Sequence, residues 1–256
     1  MSSVKSPSMF SQALGGLFME DRFSDVTIVC QNVTFKAHRA IICTQCPFFD
    51  AALKHDFQES ISGTINLPDD DPETIRRVLC FLYQQTYNDN DQDAEPTNNR
   101  PGNSMIILGD VGNRKAIAYN NLSVYLAADK FGILPLMQLA SRKLSAWIRD
   151  NYMASSFPEI ALQIMRSNLP HDPSLINVLV EIISNNLDEL GCNMEILQLL
   201  RHYGQLACLI IERIVEKEMI AYRRAHCHGC QQHFNVTKEV SLRGFRCGNC
   251  RAQDES

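Results

Sequence analysis

The chain has 256 residues, enough to bury a core without cross-links, and its 24 basic against 29 acidic residues leave a net charge of −5. That balance excludes a whole-molecule electrostatic drive toward nucleic acid or an anionic membrane. No apolar run approaches the ~20 residues that span a bilayer, and the N-terminal MSSVKSPSMF lacks a signal-peptide core. The expectation is a soluble protein of the nucleus or cytoplasm, whose ten cysteines are reduced thiols or metal ligands and not disulfides.

Residues 1–8 are Ser-rich and expected to be disordered. From Met9 to Met19 the apolar residues Phe10, Leu14, Leu17 and Phe18 recur one or two turns apart, which predicts a helix weakened at Gly15-Gly16. The β-branched run Val26 to Cys30 is too short for a helix. With Gln31-Asn32 as a two-residue turn and Val33 and Phe35 on one face beyond it, it predicts a hairpin. The period then becomes helical through Ala40, Ile41 and Cys43, and again through Phe48, Phe49, Ala52 and Leu53, with Pro47 a natural first residue of the second helix. A brief strand follows at Thr64 to Leu67. Asp71 and Pro72 then predict a capped helix start, with Ile75, Val78, Leu79, Leu82 and Tyr83 facing inward and Arg76 and Arg77 facing outward.

From Tyr87 to about Gly112 the composition turns to Asn, Asp, Gln, Pro and Gly, which cannot bury enough apolar surface to offset chain entropy. A polar insertion at about 87–118 is expected, with a minor strand at Met105 to Leu108. Order resumes at Leu122 in a helix that ends near Gly132, and Pro135 begins another carrying Leu136, Leu139, Ala140, Leu144, Trp147 and Ile148. Residues 151–224 read as further one-sided helices starting near Pro158 and Pro173, the last running from Leu206 to Tyr222.

The tail, residues 225–256, contains Cys227-His228-Gly229-Cys230, sixteen intervening residues, and Cys247-Gly248-Asn249-Cys250. Two Cys-x-x-Cys pairs at this spacing signal a zinc ribbon. Four thiolates leave no open coordination position, so Cys227, Cys230, Cys247 and Cys250 are expected to hold one structural zinc ion. Such an ion would supply ordering energy that Phe234, Val236 and Phe245 cannot. Disulfides and thioredoxin-like redox use are the competing readings, each short of its required context. His226, His228 and His233 are read as surface residues. From Arg223 to Arg251 six Lys or Arg face one acid, Glu239, which keeps phosphate contact open as a role for the tail. Cys43-Thr44-Gln45-Cys46 has no second pair nearby and is read as buried thiols, and Cys30, Cys80, Cys192 and Cys208 as small core residues.

Several of these segments together resemble a known family. Phe23-Ser24-Asp25-Val26, Phe35-Lys36-Ala37-His38-Arg39, Cys46-Pro47-Phe48-Phe49, Phe81-Leu82-Tyr83 and Leu126-Ala127-Ala128-Asp129-Lys130-Phe131-Gly132-Ile133 are similar in order and spacing to the BTB/POZ domain. The resemblance covers roughly residues 10–150, here in a fungal-type protein with a four-cysteine tail. It implies an α+β fold, a small mixed sheet flanked by helices over residues 9–150; the α-helical extension after it is weakly similar to those that follow many such domains, and the zinc-ribbon-like tail is read from its cysteines. It implies a homodimer whose N-terminal helix, with Phe10, Leu14, Leu17 and Phe18, packs across the partner, although the residues alone equally suit a helix covering its own sheet. Asp25 and Arg39 match positions that line a charged pocket at such an interface; read alone, they are a strand-end ion pair.

His38 has Asp25 as an expected neighbour across the hairpin, but no nucleophile or cleft accompanies them, and no catalytic or cofactor-binding residues are assigned. Adaptors of the family that recruit cullin scaffolds often carry an apolar-x-Glu pattern where this chain has Ile75-Arg76-Arg77, a candidate cullin-facing surface with the charge reversed. The leading expectation is a non-enzymatic interaction and homodimerisation module without a small-molecule substrate. A ubiquitin-ligase substrate adaptor and a nucleic-acid regulator acting through the basic tail are the alternatives.

Overall fold

A computed structural model of the chain describes residues 9–54, 58–90, 109–167, 173–226 and 233–237. The chain divides into two compact units, Met1–Leu175 and Ile176–Ser256.

The first unit is built on strand β1 (Val26–Cys30). It pairs antiparallel with β2 (Val33–Ala37), in the register Val26↔Ala37 to Cys30↔Val33, and parallel with β3 (Thr64–Asn66) on its other side. The sheet is therefore mixed, ordered β2-β1-β3. Alternation sends Val26, Ile28 and Cys30 into the core, and Gln31 takes φ 51° to reverse the chain. Helix α1 (Met9–Glu20) precedes the hairpin, and α2 (Arg39–Gln45), α3 (Pro47–Leu53) and α4 (Gln58–Ser62) follow it.

Helix α5 (Pro72–Gln84) begins as its sequence predicts. Asp71 accepts hydrogen bonds from the Thr74 amide and hydroxyl, both at 2.8 Å, and Pro72 gives up no useful donor. Its predicted inward residues are all buried. A second stripe, Thr74, Arg77 and Phe81, is buried as well, leaving Glu73 exposed and Pro72, Arg76, Cys80 and Gln84 partly open. Arg77, expected to face outward, is 2 % exposed. The reason is non-local: residues 87–90 fold back over the helix, and the Arg77 Nε donates to the Asn88 carbonyl at 3.1 Å.

Helix α6 (Gly109–Phe131) begins well before Leu122. Two glycines and three asparagines among its first thirteen residues hide it from propensity. Its inward face, Ala118, Asn121, Leu122 and Tyr125, supplies the tertiary contacts that hold it. Residues 91–108, including the expected strand at Met105 to Leu108, lie outside the described residues. The start of the polar stretch is tied down. Tyr87 donates to the Asn121 Oδ1 at 2.6 Å, and Asn121 donates to Asp89 Oδ2 at 3.0 Å. Lys143 donates to the Tyr87 carbonyl at 2.7 Å and lies 4.1 Å from the Tyr87 ring centroid.

Gly132, with φ 72°, closes α6 in a left-handed cap, where the Ile133 amide donates to the Ala128 carbonyl at 2.8 Å. Helices α7 (Leu134–Asn151) and α8 (Phe157–Arg166) complete the unit. Trp147 is buried in α7 and donates to the Arg114 carbonyl at 2.7 Å. Phe131 binds α6 to α3, with ring centroids 5.0 Å from Phe48 and 5.7 Å from Phe49.

Helix α9 (Ser174–Asn185) opens at the unit boundary, and the second unit continues through α10 (Leu187–Leu190), α11 (Met194–His202) and α12 (Gly204–Ala221). Asn193 caps α11 by accepting from the Glu195 and Ile196 amides. Leu179, Ile183, Ile196, Leu199, Leu206 and Ile210 are buried. Tyr222 leaves the helix and opens the antiparallel hairpin of β4 (Tyr222–His226) and β5 (His233–Thr237). Cys192 and Cys208, expected in the core, are exposed. Cys192 sits in a turn after α10, and Cys208 is on an outward face of α12. Among the described residues no helix is long and apolar enough to cross a membrane.

Candidate interaction surface

The segment joining α1 to β1 has the least relaxed backbone of the first unit. Asp21 and Phe23 take φ 54° and 62°, conformations that cost a residue with a β-carbon roughly 1–2 kcal/mol each. A buried relay holds them. His38 Nε2 lies 2.5 Å from the Arg22 carbonyl, which can only accept, so Nε2 carries the proton and donates. Nδ1 then accepts from the Tyr83 hydroxyl at 2.7 Å, while the Tyr83 oxygen accepts the His38 amide N–H at 2.9 Å. His38 thus pairs with Tyr83 and Arg22, not with Asp25 as the hairpin suggested.

Tyr83 is buried in α5, and its ring centroid lies 5.0 Å from that of Phe18. Burial, reinforced by Asp25 and Asp21, pushes its hydroxyl up to about 12 against the opposing donation from the His38 amide. The Tyr83→Phe variant removes both hydroxyl bonds and is expected to lose about 2–4 kcal/mol at neutral pH, read by chemical denaturation. The wild type should also weaken as pH rises from about 10, the unfolded value, toward 12. In that window the unfolded state has released the tyrosine proton and the folded state still holds it, so stability falls with pH. The variant should show a shallower alkaline slope, the remainder coming from Tyr87 and Tyr119, whose hydroxyls are also pushed up by burial.

The consequence of the strained turn is that Phe23 stands 78 % exposed, its ring centroid 5.2 Å from the Arg22 guanidinium carbon. Two residues on, the Asp25 Oδ1 accepts the Arg39 amide at the start of α2 at 2.8 Å. The Arg39 guanidinium reaches across to the Ser60 carbonyl, 3.1 Å from Nη2, and its buried Nε has no acceptor among the described residues. The sequence-level ion pair is therefore a side chain-to-backbone cap. Ile61, next to Ser60 in the chain, is 80 % exposed. From the sequence, Phe23 is named only as the first residue of the Phe23-Ser24-Asp25-Val26 motif, with no surface role, and Ile61 not at all. The available signal was that each is a lone apolar residue in a polar run, Asp21 to Asp25 and Gln58 to Ser62, with no periodic partner.

Helix α1 packs on α5 of its own chain: Phe18 is buried against Tyr83, and Gly15 lies so close to Gln84 that an added β-carbon would sit 2.5 Å from its Nε2. Leu14 and Leu17 are half-buried, and the Phe10 side chain lies outside the described residues. On α5, Arg76 is half-exposed and pairs with Glu73 at 2.9 Å, whereas Ile75 and Arg77 are buried. Of the three residues assigned to a cullin-facing surface, only Arg76 is accessible in this unit.

Desolvation raises the Cys46 and Cys43 thiols, and their sulfurs donate to the Phe131 and Phe49 carbonyls, which suits structural thiols. Cys227, Cys230, Cys247 and Cys250 lie outside the described residues. Among the described residues no group of three or more His, Cys, Asp or Glu is gathered for a metal ion.

Residues 14–98 match the BTB/POZ domain family. Among solved structures, the chain is similar to the BTB domain of zebrafish PATZ1, with 15% sequence identity, coverage of 52% of this chain and 85% of that one, and a TM-score of 0.33.

Proposed function

We propose that this chain, whose residues 14–98 are a BTB/POZ domain, is a non-enzymatic connector that pairs with a second copy of itself and carries a zinc-stabilised tail for another contact. BTB domains are generally interaction modules without enzymatic activity, and they commonly self-associate and bind other proteins.

The observation that carries the pairing is the exposed apolar pair, Phe23 and Ile61, flanking Asp25 and Arg39 in the chain. A strained backbone kept in place to present an aromatic ring to solvent is a recurrent mark of a contact site. Aromatic and arginine side chains are also what interface centres use. The surface holds both an acid and a base, so a two-fold axis can set Asp25 of each copy against Arg39 of the other. Leu14 and Leu17 of α1, half-buried in the unit, are read as further contacts to the partner. Phe23→Asp together with Ile61→Asp should weaken association by at least about 100-fold while leaving the folded unit intact, since neither side chain is buried. Light scattering across a dilution series reads the result; an unchanged association constant removes this surface from the reading.

For the tail, the support is the spacing of Cys227, Cys230, Cys247 and Cys250, the first two of which fall in the sequence between the paired strands β4 and β5. Elemental analysis of the purified chain should find one zinc per chain. Its removal by a chelator should leave the first unit's thermal transition in place, because no core residue of that unit is a ligand. A reducing compartment, nucleus or cytoplasm, suits these thiolates. A cullin scaffold as the outside partner would have to dock without Ile75 or Arg77, and nucleic acid would have to rely on the tail's local positive charge.

A further inference from the structure

Helix α12 carries apolar residues on two sides. Leu206 and Ile210, one turn apart, are buried, and the helix packs against α11. Cys208, Ile211 and Val215, spaced by three and four residues, form one stripe on the other side of the helix. Ile211 is 59 % exposed and Val215 48 %, and Cys208 is exposed as well. A helix with only one side to cover keeps the opposite side polar, so a contiguous apolar stripe there marks a contact surface. Its two borders differ. On one lie Glu212 and Glu216, again one turn apart, both exposed and neither making an ion pair among the described residues. On the other lie Ala207 and Ile214, apolar and half-buried.

We infer that this face of α12 docks a basic amphipathic helix of another protein, whose apolar row covers Ile211 and Val215 and whose Lys or Arg residues along one border meet Glu212 and Glu216. The unequal borders decide against a second copy of this chain. A two-fold axis that pairs α12 with its twin in antiparallel sets the acidic border against itself, and one that pairs them in parallel sets it against Ala207 and Ile214. The first opposes like charges, and the second buries carboxylates against apolar side chains. An anionic membrane or a nucleic acid meets the same carboxylates with like charge. A helix with one basic and one apolar border avoids all three costs, and helices of that kind are held by anchors at the spacing of this stripe. The stripe belongs to the second unit, and the inference depends neither on pairing through Phe23 and Ile61 nor on zinc in the tail.

The test uses the full chain and two synthetic helical peptides of 18 residues, the length of α12. Both carry the same leucine stripe, bordered on one side by lysines in the first peptide and by glutamates in the second. Fluorescence anisotropy should show the wild type binding the lysine peptide at least about 10-fold more tightly than the glutamate peptide. Ile211→Asp with Val215→Asp should weaken the lysine peptide by at least about 10-fold, and Glu212→Lys with Glu216→Lys should reverse the preference between the two peptides. All four side chains are exposed, so each variant should keep the wild-type helix content by circular dichroism. A wild type that binds neither peptide, or both equally, overturns the inference. Binding that survives Ile211→Asp with Val215→Asp, or keeps its preference after the charge reversal, overturns it as well. Self-association of the wild type that is lost in Ile211→Asp with Val215→Asp gives the face to a second copy and also overturns it.

Discussion

Arg77→Glu is expected to destabilise the first unit by about 3–5 kcal/mol, a large part of the stability of an ordinary domain. The side chain is buried on the second stripe of α5, and its Nε donates to the Asn88 carbonyl of the segment that folds back over the helix. A carboxylate there would face that carbonyl oxygen with no proton to offer and no water to screen it. The neighbouring Tyr87, Asp89, Asn121 and Lys143 are joined by hydrogen bonds and an ion pair, so the loss would spread along residues 87–90. Urea denaturation should show the midpoint falling sharply, whereas Arg76→Glu, on the half-exposed stripe, should change stability by no more than about 1 kcal/mol. Charge reversal at residue 77 is therefore a poor probe of any cullin contact, because it removes the fold before it can report on the surface. Residue 76 is the informative position.

Arg39→Glu is expected to lower self-association by at least about 100-fold, since on the proposed two-fold surface it sets the introduced carboxylate of one copy against Asp25 of the other. The folded unit should survive. The backbone N–H that Asp25 caps is still present, and only the guanidinium bond to Ser60 is lost, at about 1 kcal/mol. The double change Asp25→Arg with Arg39→Glu restores opposite charges across the axis, and should recover association even though the cap on α2 is gone. Sedimentation equilibrium of the three proteins gives the constants. Equal constants for wild type and Arg39→Glu would place the contact elsewhere.

The features that were legible in the sequence are the local ones. A β-branched run with a polar turn, an Asp-Pro helix start and a glycine past the last turn each have a mechanism that acts over a few residues. The hairpin, the start of α5 and the end of α6 follow from them. The inward residues of α5 were legible for the same reason, but Arg77 was not. Whether a helix is covered on one side or two depends on what returns to it, here residues 87–90 and α6, and no periodicity within α5 encodes that. The first turns of α6 were hidden by glycine and asparagine, because the helix there is held by packing and not by propensity. At the interaction surface Asp25 and Arg39 could be named from motif position. The strained turn that exposes Phe23 could not, because it depends on His38 and Tyr83, separated by 45 residues, meeting in the core.

A connector of this kind must present its own twin with a face worth covering, and the mass of the particle in solution reads that directly. Sedimentation velocity of the intact chain at micromolar concentration should give a single species of twice the 29.0 kDa chain mass, dissociating in the Arg39→Glu protein. A wild-type species at the mass of one chain, unchanged on concentration, would contradict the account at its centre.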